Sequence, residues 1–212
     1  MPATAAVHVV DHPLVVHRLS QMRDRRSEPY TFRRLCREIG QFMAYEVLRD
    51  LPLAHKRIET PVAQMQAPFL ADGTVFLAPV LRAGLGISEG FAEMLPAAKF
   101  AHIGLARDPE TLAAAEYYFK APEGLDRHPV LILDPMLATG HSAIAAADRL
   151  RRAGAVDLRL VCLLAAPEGI ANFHAKHPGA PIFTAAIDER LNEHGYIVPG
   201  LGDAGDRLFG TT

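Results

Sequence analysis

Between Tyr30 and Arg49 the apolar residues Phe32, Leu35, Cys36, Ile39, Phe42, Met43 and Val47 recur at three- and four-residue spacings, with Arg33, Arg34, Arg37 and Glu38 between them. That period predicts an amphipathic helix with one buried stripe. From Gly73 onward the pattern changes to short, nearly continuous apolar runs at residues 75–80, 100–105, 130–133, 158–164 and 182–187. Runs of this length without polar alternation predict strands covered on both faces. Residues 87–95 and the alanine-rich residues 142–153 predict helices between them, the second closed by Gly154 as a C-cap. Strands alternating with helices predict an α/β fold, a mainly parallel sheet flanked by helices.

Ligands of such sheets gather beyond the carboxyl ends of the strands, where the strand order reverses. Three segments are therefore candidates: residues 81–86 and 134–142, each polar or glycine-rich directly after a strand, and residues 192–212, whose glycines and Pro199 predict an irregular hood rather than a sheet element. No internal repeat or linker divides the chain, and 212 residues fit one domain with a sizeable core over 1–212, its helical arm at about 14–50.

Composition narrows the partners. Lys+Arg 22 against Asp+Glu 24 gives a formal net charge of -2, so no broad positive field attracts a nucleic-acid backbone and any phosphate must be held locally. Two distant cysteines in apolar contexts, Cys36 and Cys162, predict reduced core thiols and a cytoplasmic protein. No uninterrupted apolar run reaches the ~18 residues of a spanning helix, and the apolar start is broken by His8 and Asp11, so neither a membrane nor a secretory signal is expected.

The segment richest in chemistry follows the run ending at Leu133: Asp134, Pro135, Met136, Leu137, Ala138, Thr139, Gly140, His141 and Ser142, then the alanine-rich helix. A buried strand delivers a carboxylate, and a short turn opens into a helix amino terminus whose first N–H groups are unpaired, a site for one phosphate group. Thr139 and Ser142 add hydroxyls, and Gly140 relaxes the backbone. The alternative is that Thr139 or Ser142 merely caps the helix and Asp134 merely ends a strand.

This nine-residue segment resembles the phosphoribosyl pyrophosphate (PRPP) loop of the phosphoribosyltransferases, in the form used by the uracil phosphoribosyltransferase family. The resemblance runs on through Val16 to Leu19, Met22–Arg23, Tyr45–Glu46, residues 79–86, Arg107–Asp108 and residues 193–207. It implies a type I phosphoribosyltransferase fold and the reaction of uracil with PRPP to give UMP and diphosphate. It implies a PRPP site of Arg82, Ala83, Gly84, Arg107, Asp203 and the segment from Asp134 to Ser142, with Asp134, Arg82, Arg107 and Asp203 serving the chemistry. Ile197, Gly202, Asp203 and Ala204 match positions that contact uracil, largely through backbone groups. A forked guanidinium suits a departing diphosphate, and small residues let amides approach it. A backbone edge in a fixed conformation can read a pyrimidine's donors and acceptors, because a mismatched base leaves buried polar groups unpaired.

Magnesium is the implied cofactor, arriving with the diphosphate and retaining most of its waters rather than held by protein ligands. The resemblance also implies a homodimer or higher homo-oligomer and raises GTP as an effector. The region between Arg107 and Leu125 reads as a flap that excludes water. Pro135 stands where many phosphoribosyltransferases carry a second acidic residue, a feature of the uracil-type loop. Two positions depart from the family pattern: His141 replaces a common glycine and reads as an ordinary helix-start residue facing solvent, and Ala106 replaces an aromatic residue.

Two other motifs lead nowhere. Residues 200–205 formally match the dinucleotide fingerprint, but that fingerprint needs a strand before it, a helix after it and an acidic residue ~20 positions on. His174 with His177 reads as part of a loop, and His8 with His12 as part of a mobile terminus. Neither pair has the company a closed zinc site needs.

Overall fold

The computed structural model describes residues 5–71, 75–107 and 114–211; the side chains of Arg107 and Ala114 lie outside that description. A short strand β1 (Val7–Val9) leads into two helices, α1 (Pro13–Arg23) and α2 (Pro29–Val47). An antiparallel hairpin follows, β2 (Leu53–Glu59) with β3 (Gln64–Leu70). Strand and helix then alternate: β4 (Phe76–Leu81), α3 (Gly84–Met94), β5 (Lys99–Phe100), β6 (His102–Arg107), β7 (Ala114–Lys120), β8 (Val130–Leu133), β9 (Met136–Leu137), α4 (His141–Arg152), β10 (Leu158–Ala165), α5 (Pro167–Lys176) and β11 (Ile182–Ile187). The chain ends in β12 (Arg190–Leu191), β13 (Ile197–Val198) and α6 (Ala204–Phe209).

The main sheet runs β1-β11-β10-β8-β4-β6-β7. Every neighbouring pair along that path is parallel except β6 with β7. The alternation of facing explains why the sheet's runs are nearly continuous in apolar residues. Leu77, Leu131, Val161 and Leu163 face the helices α1, α2 and α3, whereas Phe76, Val130, Ile132, Leu160 and Cys162 face α4 and α5. Both faces are covered, so both sets of side chains are apolar. Helix α2 lies against α3 closely enough that a Cβ on Gly90 would stand 2.1 Å from the Arg37 carbonyl. Among the described residues no helix is long and apolar enough to cross a membrane.

Cys36 and Cys162 are buried on opposite faces. Burial pushes both thiols well above their ordinary range, Cys162 to about 12. Since the thiolate is the reactive form, both are expected to resist a thiol reagent in the native protein and to react fully after denaturation; rapid labelling of the folded chain would contradict this burial.

Two expectations, on the amino-terminal histidines and on residues 192–212, need correction, and two others gain detail. The helical arm is two helices, because Pro29 opens α2 after a break at residues 24–28. The amino-terminal histidines are not in a loose terminus: β1 pairs with β11, His8 stacks on Phe183, and His12 Nδ1 accepts the Leu14 N–H that opens α1. Residues 192–212 are not wholly irregular, since they include β13, paired with β12, and the short helix α6. The stretch between Arg107 and Leu125 contains β7, held antiparallel to β6, and residues 108–113 lie outside the described residues. The β2–β3 hairpin had no expectation; its strands are largely exposed, so no buried face marked them.

Candidate active site

From β4 the chain steps to β6 on one side of the sheet, whereas β8, β10 and β11 accumulate on the other. The reversal therefore lies between β4 and β8, and the crevice beyond their carboxyl ends is where ligands of such sheets bind. Two expected site segments leave the sheet there: Arg82, Ala83 and Gly84 after β4, and residues 134–142 after β8.

Asp134 follows β8 directly and is half-buried. Burial pushes its carboxyl up from the usual carboxylate range to about 6, only partly offset by the Met136 N–H, which reaches Oδ1 at 3.4 Å. A buried carboxylate this poorly compensated is costly to keep ionised. The rest of the segment is pinned to the next strand. The Pro135 carbonyl accepts the N–H groups of Leu163 and Leu164 at 2.9 and 3.1 Å, the Leu137 carbonyl accepts from Ala166 at 2.9 Å, and Met136–Leu137 pair with Leu164 and Ala165. On its far side the segment touches α5, where a Cβ on Gly169 would stand 2.3 Å from the Ala138 carbonyl, and Asn172 Nδ2 donates to the Thr139 carbonyl at 3.0 Å.

Helix α4 starts immediately afterwards. Its N-cap is Gly140, in the left-handed region at φ 85°, and no side chain caps it. That decides against Thr139 or Ser142 serving as the cap. The first amides of this 12-residue helix remain without a side-chain acceptor, and the exposed Ser142 hydroxyl stands beside them. His141 is the first helical residue and is exposed.

Across the crevice, Gly84 makes the closest approach: a Cβ there would stand 2.2 Å from the Leu133 carbonyl, one residue before Asp134. The Leu81–Arg82 peptide is cis. Arg82 is exposed, with Nη2 3.7 Å from Asp206 Oδ1 and 3.4 Å from Thr211 Oγ1 and its guanidinium 5.5 Å from the Phe209 ring centroid. Its partners among the described residues are all carboxyl-terminal, so the tail and the 82–84 loop meet. Ala83 meets it too, its Cβ 3.9 Å from the Cβ position of Gly205. Arg107 ends β6, beyond β4; the direction of its side chain lies outside the described residues.

The tail also reaches the α4 entrance, where the Cβ position of Gly195 is 3.7 Å from Thr139 Cγ2. Ile197 and Ala204 are buried, Gly202 is exposed at φ 80°, and Asp203 caps α6 by accepting the Asp206 N–H at 2.9 Å. Residues absent from the expected set hold this edge in place. Arg23 and Asp188 bond both backbone groups of Gly200. Arg207 donates to the carbonyls of Leu201 at 2.9 Å and Asp24 at 2.7 Å, and lies over the Phe32 ring. Met22 to Asp24 and Gly200 to Arg207 stand at opposite ends of the sequence, so spacing gives no sign of these bonds.

A parallel sheet whose switch-point strand ends in an acidic loop and an open helix amino terminus, with the tail folded over it, is a phosphoribosyltransferase of type I architecture. Its fold matches that of a hypoxanthine-guanine phosphoribosyltransferase from Bacillus anthracis with TM-score 0.51, at 10% identity, over 76% of this chain and 80% of that one, a likeness of fold alone. Within that class the chain belongs to the uracil phosphoribosyltransferase family, whose model matches residues 9–211. The uracil phosphoribosyltransferase of Sinorhizobium fredii is 57% identical over 205 residues, 97% of this chain and 98% of that protein. A solved structure of a protein from Aquifex aeolicus is similar at TM-score 0.91 and 37% identity, covering 97% of this chain and 99% of that one.

Proposed function

We propose that this chain makes UMP and diphosphate from uracil and PRPP, in pyrimidine salvage, by substitution at the ribose anomeric carbon. The carrying observation is the meeting of three segments at the β4/β8 switch point: the half-buried Asp134 with the open start of α4, the Arg82–Gly84 loop, and the tail from Ile197 to Ala204. The uncapped α4 amides with Thr139 and Ser142 suit a sugar 5-phosphate, since a helix amino terminus combines free N–H donors with a favourable dipole. Asp134 faces the ribose, where a carboxylate stabilises positive charge developing at the ring. Arg82 suits the departing diphosphate, with Arg107 as a second cation and Asp203 at the boundary between base and sugar. Uracil N1 displaces diphosphate with inversion, and alignment with preorganised charge supplies most of the rate.

Among the described residues no three His, Cys, Asp or Glu side chains converge as a metal cage. Magnesium is proposed to enter as the companion of the PRPP diphosphate, retaining most of its waters. A homo-oligomer is proposed as well, supported by exposed apolar side chains on α2 and the hairpin, among them Tyr45, Leu53 and Phe69. Sedimentation with and without GTP tests that state and the proposed effector together. The function itself is tested by incubating the protein with uracil, PRPP and magnesium and separating the products. UMP is expected, with cytosine and purines poor substrates; no UMP from uracil would defeat the proposal.

A further inference from the structure

Asp188 is the first residue beyond β11 and is buried. Its carboxylate is fully engaged: Oδ2 accepts the Gly200 N–H at 2.8 Å and Arg23 Nη1 at 2.8 Å, and Oδ1 accepts Arg23 Nη2 at 2.6 Å. Arg23 Nη1 also donates to the Gly200 carbonyl at 2.8 Å. Two side chains from opposite ends of the chain thus satisfy both backbone polar groups of one glycine.

That glycine is the pivot of the edge between Ile197 and Gly202. It has φ 64°, and a Cβ on it would stand 2.1 Å from the Ile197 carbonyl. The chain therefore turns back on Ile197 at this point, and the angle of the turn sets where the backbone of residues 201–203 projects. A bidentate guanidinium–carboxylate pair fixes direction as well as distance. A backbone edge that reads a base needs that direction held, because a displacement near 1 Å can cost ~100-fold.

We infer that Arg23 and Asp188 are positioning residues for uracil, acting through Gly200 without touching the base, so that helix α1 is a structural part of the base site. This rests on the reading of residues 197–204 as the uracil edge. The 134–142 segment is pinned to β10 and α5 rather than to this pair, so the 5-phosphate hold on PRPP should be kept.

The test is steady-state kinetics with each substrate varied, on Arg23→Gln, Asp188→Asn, the double variant and Arg23→Lys. KM for uracil is expected to rise on the order of 10- to 100-fold in each single variant, with KM for PRPP changed by less than about twofold. The double variant should be no worse than the more impaired single one, because the two groups act as one device. Arg23→Lys keeps a cation but loses the fork and should fall between. A purely structural role would lower kcat with the folded fraction and leave KM for uracil in place, and that result would overturn the inference, as would equal rises in both KM values. If Arg23→Gln and Asp188→Asn do not fold, Arg23→Lys decides on the same criterion. Failure of the unmodified protein to form UMP would defeat the base-site reading itself, whereas normal UMP formation with an unmoved uracil KM would defeat only the pair.

Discussion

Replacing Asp134 by Asn is expected to lower kcat on the order of 10²- to 10³-fold, the loss typical of one preorganised charged group at a reacting centre, while the protein remains folded. The shape is retained and only the charge goes. Because burial holds this carboxyl at about 6, kcat/KM of the unmodified enzyme should fall on an acid limb near that pH, and the limb should vanish in the variant. Stability should move the opposite way from activity. A carboxyl whose folded-state pKa lies above its unfolded value contributes stability that is fully present below the unfolded value and is lost as pH rises through about 6. At pH 8 the native protein therefore carries a buried-charge penalty that Asn does not. Allowing for partial exposure of the site, the variant is expected to be more stable there by on the order of 1–2 kcal/mol. Thermal melts at pH 5 and pH 8 check this; unchanged turnover, or a large loss of stability at pH 8, would remove Asp134 from the role described.

Gly84→Ala is expected to damage both the fold and the crevice. Its Cβ would lie 2.2 Å from the Leu133 carbonyl and 3.1 Å from Pro79 Cα. Both neighbours are backbone in adjacent central strands, so no side chain can swing aside. Overpacking of this kind costs roughly 1–3 kcal/mol or more, a fall in Tm of about 2–12 °C at this chain length. Relief has to come from moving β4 away from β8, which displaces Arg82 and Ala83 relative to Asp134, so KM for PRPP should rise by about tenfold or more. Gly179→Ala is the control, since no atom lies within 4 Å of its Cβ position and its backbone is unstrained. A Gly84→Ala protein with native Tm and native KM for PRPP would show that β4 and β8 can separate freely.

What the sequence made legible follows from burial. The strands at residues 130–133 and 182–187 were readable to the residue because they are largely covered on both faces and every side chain but Thr184 is apolar. The 134–142 segment stood out because a carboxylate, hydroxyls and a glycine follow such a strand directly. The β2–β3 hairpin was not, since most of its side chains face solvent and any polar residue serves there. Helix α6 was hidden by its glycine-rich approach, and its cap, Asp203, is a residue whose expected role was ligand binding. Neither the Arg23–Asp188 pair nor the bonds of Arg207 to Met22 and Asp24 leave a local trace: the partners stand 165 to 185 positions apart and only folding brings them together.

The same bonds have a bearing on when the protein becomes active. Met22, Arg23 and Asp24 leave the ribosome long before Gly200 to Arg207 are made. Contacts of such long sequence separation form late and slowly. The sheet and its acidic loop can assemble on a growing chain, but the bonds that fix this edge cannot form until residues 200–207 have been made. A chain stopped before residue 200 is therefore expected to keep most of its core and to form no UMP.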